Sequence, residues 1–341
     1  MAATLSIAGL RAQLWYKQLF DDVSKWLFMS RFMGDGANNP VQVVRDLTTK
    51  PGKTINIGLS TKLSGSGITG DSTLEGQEEA ISSYAVIGLV DQLRHAVIMT
   101  GKMDEKLVAY NMRQDAKEKL AIWWAERIDQ EILDKLCGKT SATFANTPTN
   151  PSTNRAVWAG GQTADTGLTA SHVFDTKVLD KAKQVAIMAT VKVRPIRMSD
   201  EQYKGTAKYF CIVHPYQASD LRKDPVWNQA QRDANDRGPS NPVLSGALGE
   251  YNGIIVYQHE GIYQFAGGAA SANIARAVLM GQQAAVFMEG AEEEWVEKEF
   301  DYGNQWGISA GRIFGVIKPR FNSQDYGVVT IATGADVAST A

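Results

Sequence analysis

The sequence predicts an α+β fold that carries extensions a lone subunit does not bury. Three observations predict it. Residues 53–63 alternate apolar and polar with period two, and more extended sequence follows at 83–98. Residues 103–137 carry the strongest helical periodicity in the chain. Residues 1–50 read as an irregular arm holding two tryptophans, Trp15 and Trp26, with little core of their own.

Size and composition set the bounds. The chain has 341 residues and a mass of 37.2 kDa. Area scaling gives roughly 14,000 Å² for a folded monomer of that mass against roughly 54,000 Å² extended, so about three quarters of the surface can be hidden. One large domain or two unequal ones fit. Hydrophobic residues make up 44% and charged residues 21%, which excludes a disordered polymer. Lys+Arg 35 against Asp+Glu 37 gives a net charge of −2, which argues against a dedicated nucleic-acid surface. Two cysteines, Cys137 and Cys211, exclude a disulfide scaffold and a multi-cysteine zinc site. Met1 to Leu10 lack a basic start followed by an apolar core, so no secretory signal is expected. No apolar run reaches the ~20 residues that cross a bilayer.

The elements follow in order. Leu14, Trp15, Leu19, Val23, Trp26 and Leu27 recur at helical spacing, and the breakers Gly34, Gly36, Asn38, Asn39 and Pro40 come after them. In the first strand Ile55, Ile57, Leu59, Thr61 and Leu63 face one way, while Thr54, Asn56, Ser60 and Lys62 face the other. With 83–98 it forms a long hairpin whose tip, 64–80, is polar and rich in Gly and Ser. So long a loop is uncommon in a compact domain and is usually functional. In the helix, Leu120, Trp124, Ile128, Ile132 and Leu136 make an i, i+4 stripe, and Glu118, Glu126, Asp129 and Lys135 fill the other side. Neither Pro nor Gly interrupts the run before Gly138. Its length, roughly 52 Å at 1.5 Å per residue, makes it a spine. Residues 138–170 read as a surface loop, 173–189 as a second helix and 208–214 as a buried strand. Asn252-Gly253 between apolar runs is the best short hairpin signal. Residues 274–288 are strand-like around Gly281, and 308–332 hold one or two closing strands.

The chemical motifs are weak. Gly65-Ser66-Gly67-Ile68-Thr69-Gly70 fits G-x-G-x-x-G, but dinucleotide binding needs a helix to start at this loop. Asp71, Ser72, Thr73, Leu74, Glu75 and Gly76 give no helix pattern, and a flexible hairpin tip accounts for the glycines. Gly52-Lys53-Thr54 lacks the earlier glycine of a P-loop, since Leu47 stands there. His95, His172, His214 and His259 include no i, i+3 or i, i+4 pair for a metal. The acidic run Glu289, Glu292, Glu293, Glu294, Glu297, Glu299 and Asp301 is either a solvated face or an edge that meets a basic partner. No nucleophile elbow or kinase signature occurs.

Several segments together resemble the tailed-phage major capsid proteins of the N4-like group. They are Lys53 to Leu63 running into Gly67-Ile68-Thr69-Gly70-Asp71, Leu74 to Glu79, Arg94-His95-Ala96-Val97, and the end of the spine from Asp129 to Leu136. Further on come His214-Pro215-Tyr216-Gln217, Asp220 to Asp224, Arg237 to Pro242, and Gly246-Ala247-Leu248-Gly249 before Asn252-Gly253. The set spans about residues 50–260 in the family's order. The resemblance implies a Hong Kong 97-type fold. Its parts would be an N-terminal arm (1–50), an extended loop (51–92), a peripheral domain (93–206) with the spine helix, an axial domain (207–305), and C-terminal strands returning to the peripheral domain (306–341).

It also implies a shell subunit rather than an enzyme, with no cofactor. Copies would form hexamers and pentamers of an icosahedral capsid around double-stranded DNA, bound without sequence preference. Scaffolding protein, a portal and a decoration protein would be further partners, with no membrane. Assembly would occur in the bacterial host cytoplasm and the product would be the virion. The expected contacts between subunits are Trp15, Trp26, Lys53, Lys62, Gly65, Gly67, Gly70, Asp71, Glu75, Glu78, Glu79, Arg222, Asp224, Arg237, Glu293 and Glu294. Some proteins of this fold crosslink through a loop lysine. Lys53 and Lys62 lie in that region, but no crosslink is predicted.

Physical chemistry points the same way. An isolated two-stranded hairpin is marginally stable and its edges invite pairing. Closed rings need heterologous contacts, which a projecting hairpin and a receiving groove supply. The alternatives are an encapsulin-like nanocompartment shell and, from another class, a nucleotide-dependent enzyme using Gly65 to Gly70.

Overall fold

A computed structural model describes residues 23, 26–49, 51–60, 63, 65, 67–70, 73–76, 78–99, 101–107, 112–197, 207–235, 248–291 and 294–335. Strands β1 (Met33–Gly34) and β2 (Val41–Val44) precede a one-turn helix α1 (Asp46–Thr49). Strands β3 (Thr54–Ser60) and β4 (Ser83–Leu89) form an antiparallel hairpin, and β5 (Asp91–Met99) follows at once. Helices α2 (Lys102–Leu107) and α3 (Met112–Cys137) come next, then β6 (Ala156–Trp158), α4 (Thr176–Met188), β7 (Ile196–Arg197) and β8 (Ala207–Val213). Helices α5 (Pro215–Lys223) and α6 (Pro225–Asn235) lead to β9 (Gly249–Tyr251), β10 (Ile254–Gln258), β11 (Gln264–Ala266) and β12 (Asn273–Met280). The last strands are β13 (Ala285–Glu289), β14 (Glu294–Phe300), β15 (Gln305–Ile317), β16 (Arg320–Phe321), β17 (Gln324–Asp325) and β18 (Val328–Gly334).

Two sheets carry the architecture. A six-stranded sheet runs β1-β2-β13-β15-β14, with β5 also paired to β15. An eight-stranded sheet runs β6-β18-β12-β8-β10-β9, with β11 on β12 and β7 on β8. Helix α3 packs against both. Its Leu120, Trp124, Ile128, Ile132 and Leu136 share one core with Phe287 and Phe314 of the first sheet and Phe210 and Val278 of the second. The opposite face of the second sheet, including Cys211, Val256, Leu279 and Ile331, is covered by Leu179 and Ala182 of α4, Leu221 of α5 and Trp227 of α6. Strand β8 is therefore buried on both faces, which is why 208–214 reads as one apolar run.

The helix ends obey local rules. Gly138 adopts φ +72 after α3, and its N–H bonds to Lys135 O at 3.3 Å while Lys139 N–H reaches Asp134 O at 2.9 Å. That double closure of the last turn needs a left-handed residue, which glycine supplies without a Cβ clash. Asn252 and Gly253, with φ of 46° and 70°, make the tight β9–β10 hairpin.

Several expectations change. The stretch 83–98 is not one arm of a hairpin. It breaks at Val90, after which β5 leaves β3 and pairs with β15 along its whole length. Both halves are extended and carry apolar residues, so an extended pattern alone does not reveal the change of partner. The described part of the first strand is Thr54–Ser60, and residues 61 and 62 lie outside the described residues. Residues 103–137 contain two described helices, α2 and α3, and 108–111 between them lie outside the described residues. Residues 138–170 include a strand, β6, that pairs in parallel with β18.

Asp129 and Lys135, expected on the solvent side of the spine, are 4% and 1% exposed, because α3 is enclosed between the sheets and the loops that join them. Sheet membership and sequence order interleave. β13 and β14, within 207–305, belong to the six-stranded sheet, and β18, within 306–341, lies in the eight-stranded one. Of the N-terminal helix, Val23 and Trp26 are helical and Leu27 is not, while Leu14, Trp15 and Leu19 lie outside the described residues.

Candidate assembly surfaces

The β3–β4 hairpin is packed at its root and bare beyond it. At the root Ile55 and Val90 are buried with Val286 and Met288 of β13 and β2–β13 neighbours such as Val44. A Cβ on Gly88 would lie 2.3 Å from Met288 Sδ, so a larger residue there would require the end of the Met288 side chain to move. Further out, Ile87, Ile81, Leu63 and Leu74 are 60%, 66%, 57% and 62% exposed. Among the described residues β3 and β4 pair only with each other, so each leaves one row of backbone donors and acceptors open. The chain as a whole exposes 19198 Å², more than the roughly 14,000 Å² of a compact monomer of its mass.

A polar latch fixes the root. Asn146 accepts from Leu89 N–H through Oδ1 at 2.9 Å and donates through Nδ2 to Leu89 O at 2.8 Å and to Val316 O at 3.2 Å. It thus fills the gap between β4 and β15, where no strand pairing exists. The loop that carries Asn146 is gathered by the buried Lys135 ammonium, which donates to Ala142 O, Phe144 O and Asn146 O. Glu131 Oε2, 3.5 Å away, supplies the counter-charge. Burial holds the Lys135 pKa below the usual lysine range, with Glu131 opposing.

The tip is held by its own acids. Glu79 Oε2 accepts from Gly65 N–H at 2.6 Å and Glu78 Oε2 from Gly76 N–H at 2.8 Å. Gly67, Gly70 and Gly76 sit at φ of 72°, 68° and 87°. The glycines therefore serve left-handed turns. No helix starts here among the described residues, so the nucleotide-dependent alternative, which needs N-terminal N–H groups aimed at a phosphate, is not favoured. Gly65, Gly67, Gly70, Glu75, Glu78, Glu79 and Lys53 are all exposed, while Lys62 and Asp71 lie outside the described residues.

A second surface begins where the N-terminal segment meets the spine. Phe28 N–H and Met29 N–H donate to the two oxygens of Asp129 at 2.8 and 2.9 Å. Burial pushes the Asp129 pKa up from 3.8 to about 6, against the pull of those two N–H groups. Phe28 and Phe32 then pack on Tyr257, His259 and Phe210. Just before this anchor Trp26 is 65% exposed.

Of the acidic run, Glu289 ends β13, Asp301 lies in the turn before β15, and Glu294, Glu297 and Glu299 lie on β14, an outer strand of the six-stranded sheet paired only to β15 among the described residues. These acids are not equivalent. Glu297 binds Arg113 through both oxygens, at 2.6 and 2.7 Å, and Glu289 holds Arg45 and Arg312. Glu294 is exposed, and Glu293 lies outside the described residues.

Other singled-out residues act within the chain. His214 is the N-cap of α5: its Nδ1 accepts from Tyr216 N–H at 3.3 Å, Gln217 Oε1 accepts from His214 N–H, and Pro215 opens the helix. Burial holds the His214 pKa below the usual histidine range. Asp224 accepts from Thr176 N–H and Oγ1–H and from Val226 N–H, tying the starts of α4 and α6 together. Arg222 beside it is exposed, and Arg237 lies outside the described residues. His95 stacks on Trp123 at 4.1 Å, His172 accepts from Thr169 N–H, and His259 from Gly261 N–H. Among the described residues no group of three or more His, Cys, Asp or Glu is placed to hold a metal, and no helix is long and apolar enough to cross a membrane. The Asn146 latch, the Lys135 hub and the Asp129 anchor carry no local sequence signal, because each joins residues distant in the chain or sits in a loop of ordinary composition.

Comparison with known proteins places this architecture. Residues 3–337 match the family model described as phage capsid protein. The chain is 29% identical, over 94% of both sequences, to the major capsid protein of Pseudomonas phage KPP25. Its structure is similar to the capsid of Ralstonia phage GP4, with a TM-score of 0.81, 27% identity and 92% of both chains covered. It is also similar to the capsid of cyanophage Pam1, with a TM-score of 0.76, 22% identity, and 90% of this chain and 92% of that one covered. These likenesses correspond to the Hong Kong 97-like capsid fold.

Proposed function

The chain belongs to the phage capsid protein family, and from that membership and the geometry above we propose that it is the repeating subunit of an icosahedral shell enclosing a double-stranded DNA genome. It is a phage major capsid protein, a component of the virion. The observation that carries the finer reading is the β3–β4 hairpin: a two-stranded element rooted by Ile55, Val90 and the Asn146 latch, with exposed apolar side chains beyond that root. A monomer gains nothing from such an element, whereas a neighbour that covers it buries Leu63, Leu74, Ile81 and Ile87.

In this reading residues 51–92 are the extended loop and residues 1–50 the arm. Residues 93–206, with the spine helix α3 and helix α4, are the peripheral domain, residues 207–305 are the axial domain nearest the ring axis, and residues 306–341 return to the peripheral domain. Copies close into hexamers and pentamers. Exposed Trp26, Lys53, Glu75, Glu78, Glu79, Arg222 and Glu294 are the described candidates for contacts between them. Scaffolding protein, portal and a decoration protein act on this shell in the host cytoplasm, and the subunit is of the N4-like kind. The chain performs no catalysis. Near-neutral net charge, −2, suits a shell that packs many copies and encloses DNA without gripping it.

Negative-stain microscopy of the purified protein, paired with sedimentation velocity, tests this. Closed shells, or rings of five and six, are expected. A protein that stays monomeric even when co-expressed with its phage's scaffolding protein would sink the proposal.

A further inference from the structure

The turn between β14 and β15 holds an aromatic ring that nothing on its own chain covers. Tyr302 is 108% exposed, the barest large hydrophobic side chain described. Asp301, Tyr302 and Gly303 lie at φ of 48°, 50° and 81°, three successive left-handed residues of which two carry a Cβ. Such backbone is costly and persists where the surroundings or a function require it. A side chain that stabilises nothing within its subunit, held out on strained backbone, has its purpose outside that subunit.

A receptor lies beside it. A cavity of about 300 Å³ opens at the same end of the sheet, walled by Met99, Met112, Trp306 and Ile308. Its lining also includes Asn304 and the Arg113–Glu297 ion pair, 2.6 Å at its shorter contact. Apolar side chains beside a polar and charged group fit a phenol, whose ring takes the methionines and indole and whose hydroxyl meets the polar groups. Tyr302 does not fill the cavity of its own chain, as its exposure shows.

We propose that Tyr302 of one subunit seats in this cavity on the next copy. The occupant is a second copy because this chain is a shell subunit, a reading on which the proposal rests, and because the knob is the turn of the β14–β15 hairpin that also supplies Glu297, Trp306 and Ile308 to the hole. A contact between two different patches of the same chain is heterologous, and rotation closes it into a ring. With both patches only a few residues apart, that ring forms where the β14–β15 ends of neighbouring subunits converge. Met99 and Met112 adapt to the incoming ring as flexible thioethers do.

The test uses assembled particles of the full chain. The double variant Tyr302→Cys with Met112→Cys is exposed to a mild oxidant and run on a denaturing gel. A ladder of linked subunits ending at one ring size is expected, with neither single substitution giving it. Cys137 and Cys211 are buried and stay out of the reaction. Tyr302→Ala should lower particle yield about tenfold, as loss of an interface hot spot does, and leave the melting temperature of the unassembled subunit unchanged. Unlinked subunits together with full assembly of Tyr302→Ala would overturn the proposal. A wild-type chain that forms neither rings nor shells would instead overturn the shell reading, and this one with it.

Discussion

Asn146 grips Leu89 by both polar groups of its backbone, Oδ1 on the N–H at 2.9 Å and Nδ2 on the carbonyl at 2.8 Å. A strand neighbour would make the same two bonds. Here one side chain replaces a strand at the point where the chain passes from the free hairpin to the six-stranded sheet. Lys135, buried in the spine helix, holds the loop that delivers Asn146. The spine and the projecting hairpin are thereby mechanically joined without being adjacent in sequence.

Asn146→Ala should cost about 2–3 kcal/mol, because it leaves Leu89 and Val316 groups without partners in a half-buried place. Amide exchange separates this from general loosening. The Leu89 N–H should exchange at least ~10-fold faster in native buffer, in line with ~1.4 kcal/mol or more of lost protection, while amides in β8 stay protected. Unchanged exchange at Leu89 would mean that the latch does not hold the root.

Asp129 makes stability depend on pH with a definite sign. Its folded pKa, about 6, is raised above the ordinary 3.8 because burial outweighs the N–H groups of Met29 and Phe28. Between those values the native state binds the extra proton and the unfolded state does not. The ionised carboxylate is therefore penalised above pH 6, by an amount of order 3 kcal/mol. That penalty is relieved as pH falls from 7 toward 4, with nothing further gained below. Asp129→Asn removes this titration, so wild-type stability relative to the variant should improve on acidification from pH 7 to 5. Paired urea titrations across that range check it; a difference that is flat or runs the other way refutes the assignment.

Much of the core was legible in the sequence, and most of the latches were not. The stripe Leu120, Trp124, Ile128, Ile132, Leu136 has the period of a helix whatever surrounds it. Asn252-Gly253 needs only local backbone angles. By contrast β2 pairs in parallel with β13, Val41 opposite Ala285, a register that no local pattern encodes. The burial of Asp129 depends on a segment 100 residues upstream in the chain, whose Met29 N–H it accepts. Polar residues on a helix read as solvent-facing until the fold supplies a second cover. Asn146 sat in a Thr-, Asn- and Pro-rich stretch that any surface loop could contain.

Deleting residues 64–80 should separate folding from assembly. Gly65, Gly67, Gly70 and Glu75 in that segment are exposed, and the apolar clusters include no residue of it. The deleted subunit should melt within a few degrees of wild type, a shift corresponding to less than about 1 kcal/mol. Particle yield in the electron microscope should collapse. Normal shells from this deletion would show that the hairpin tip is not an assembly element.

Two glycines that look alike in sequence should respond oppositely to alanine. A Cβ on Gly315 would stand 2.0 Å from Leu89 O, a backbone atom that Asn146 already holds in place. The clash has no flexible side chain to absorb it, so β4 must be pushed off β15, at about 2–4 kcal/mol for overpacking plus the weakened latch. A Cβ on Gly58, in the free part of β3, meets nothing within 4 Å. Gly58→Ala removes backbone freedom from the unfolded chain and should leave the subunit as stable or more so, by up to about 1 kcal/mol. Thermal melts of both variants decide the matter. Equal destabilisation would mean that the hairpin is packed along its whole length and its root is nothing special. Opposite signs would place the boundary between anchored root and free arm between Gly58 and the Leu89–Gly315 contact, where the geometry puts it.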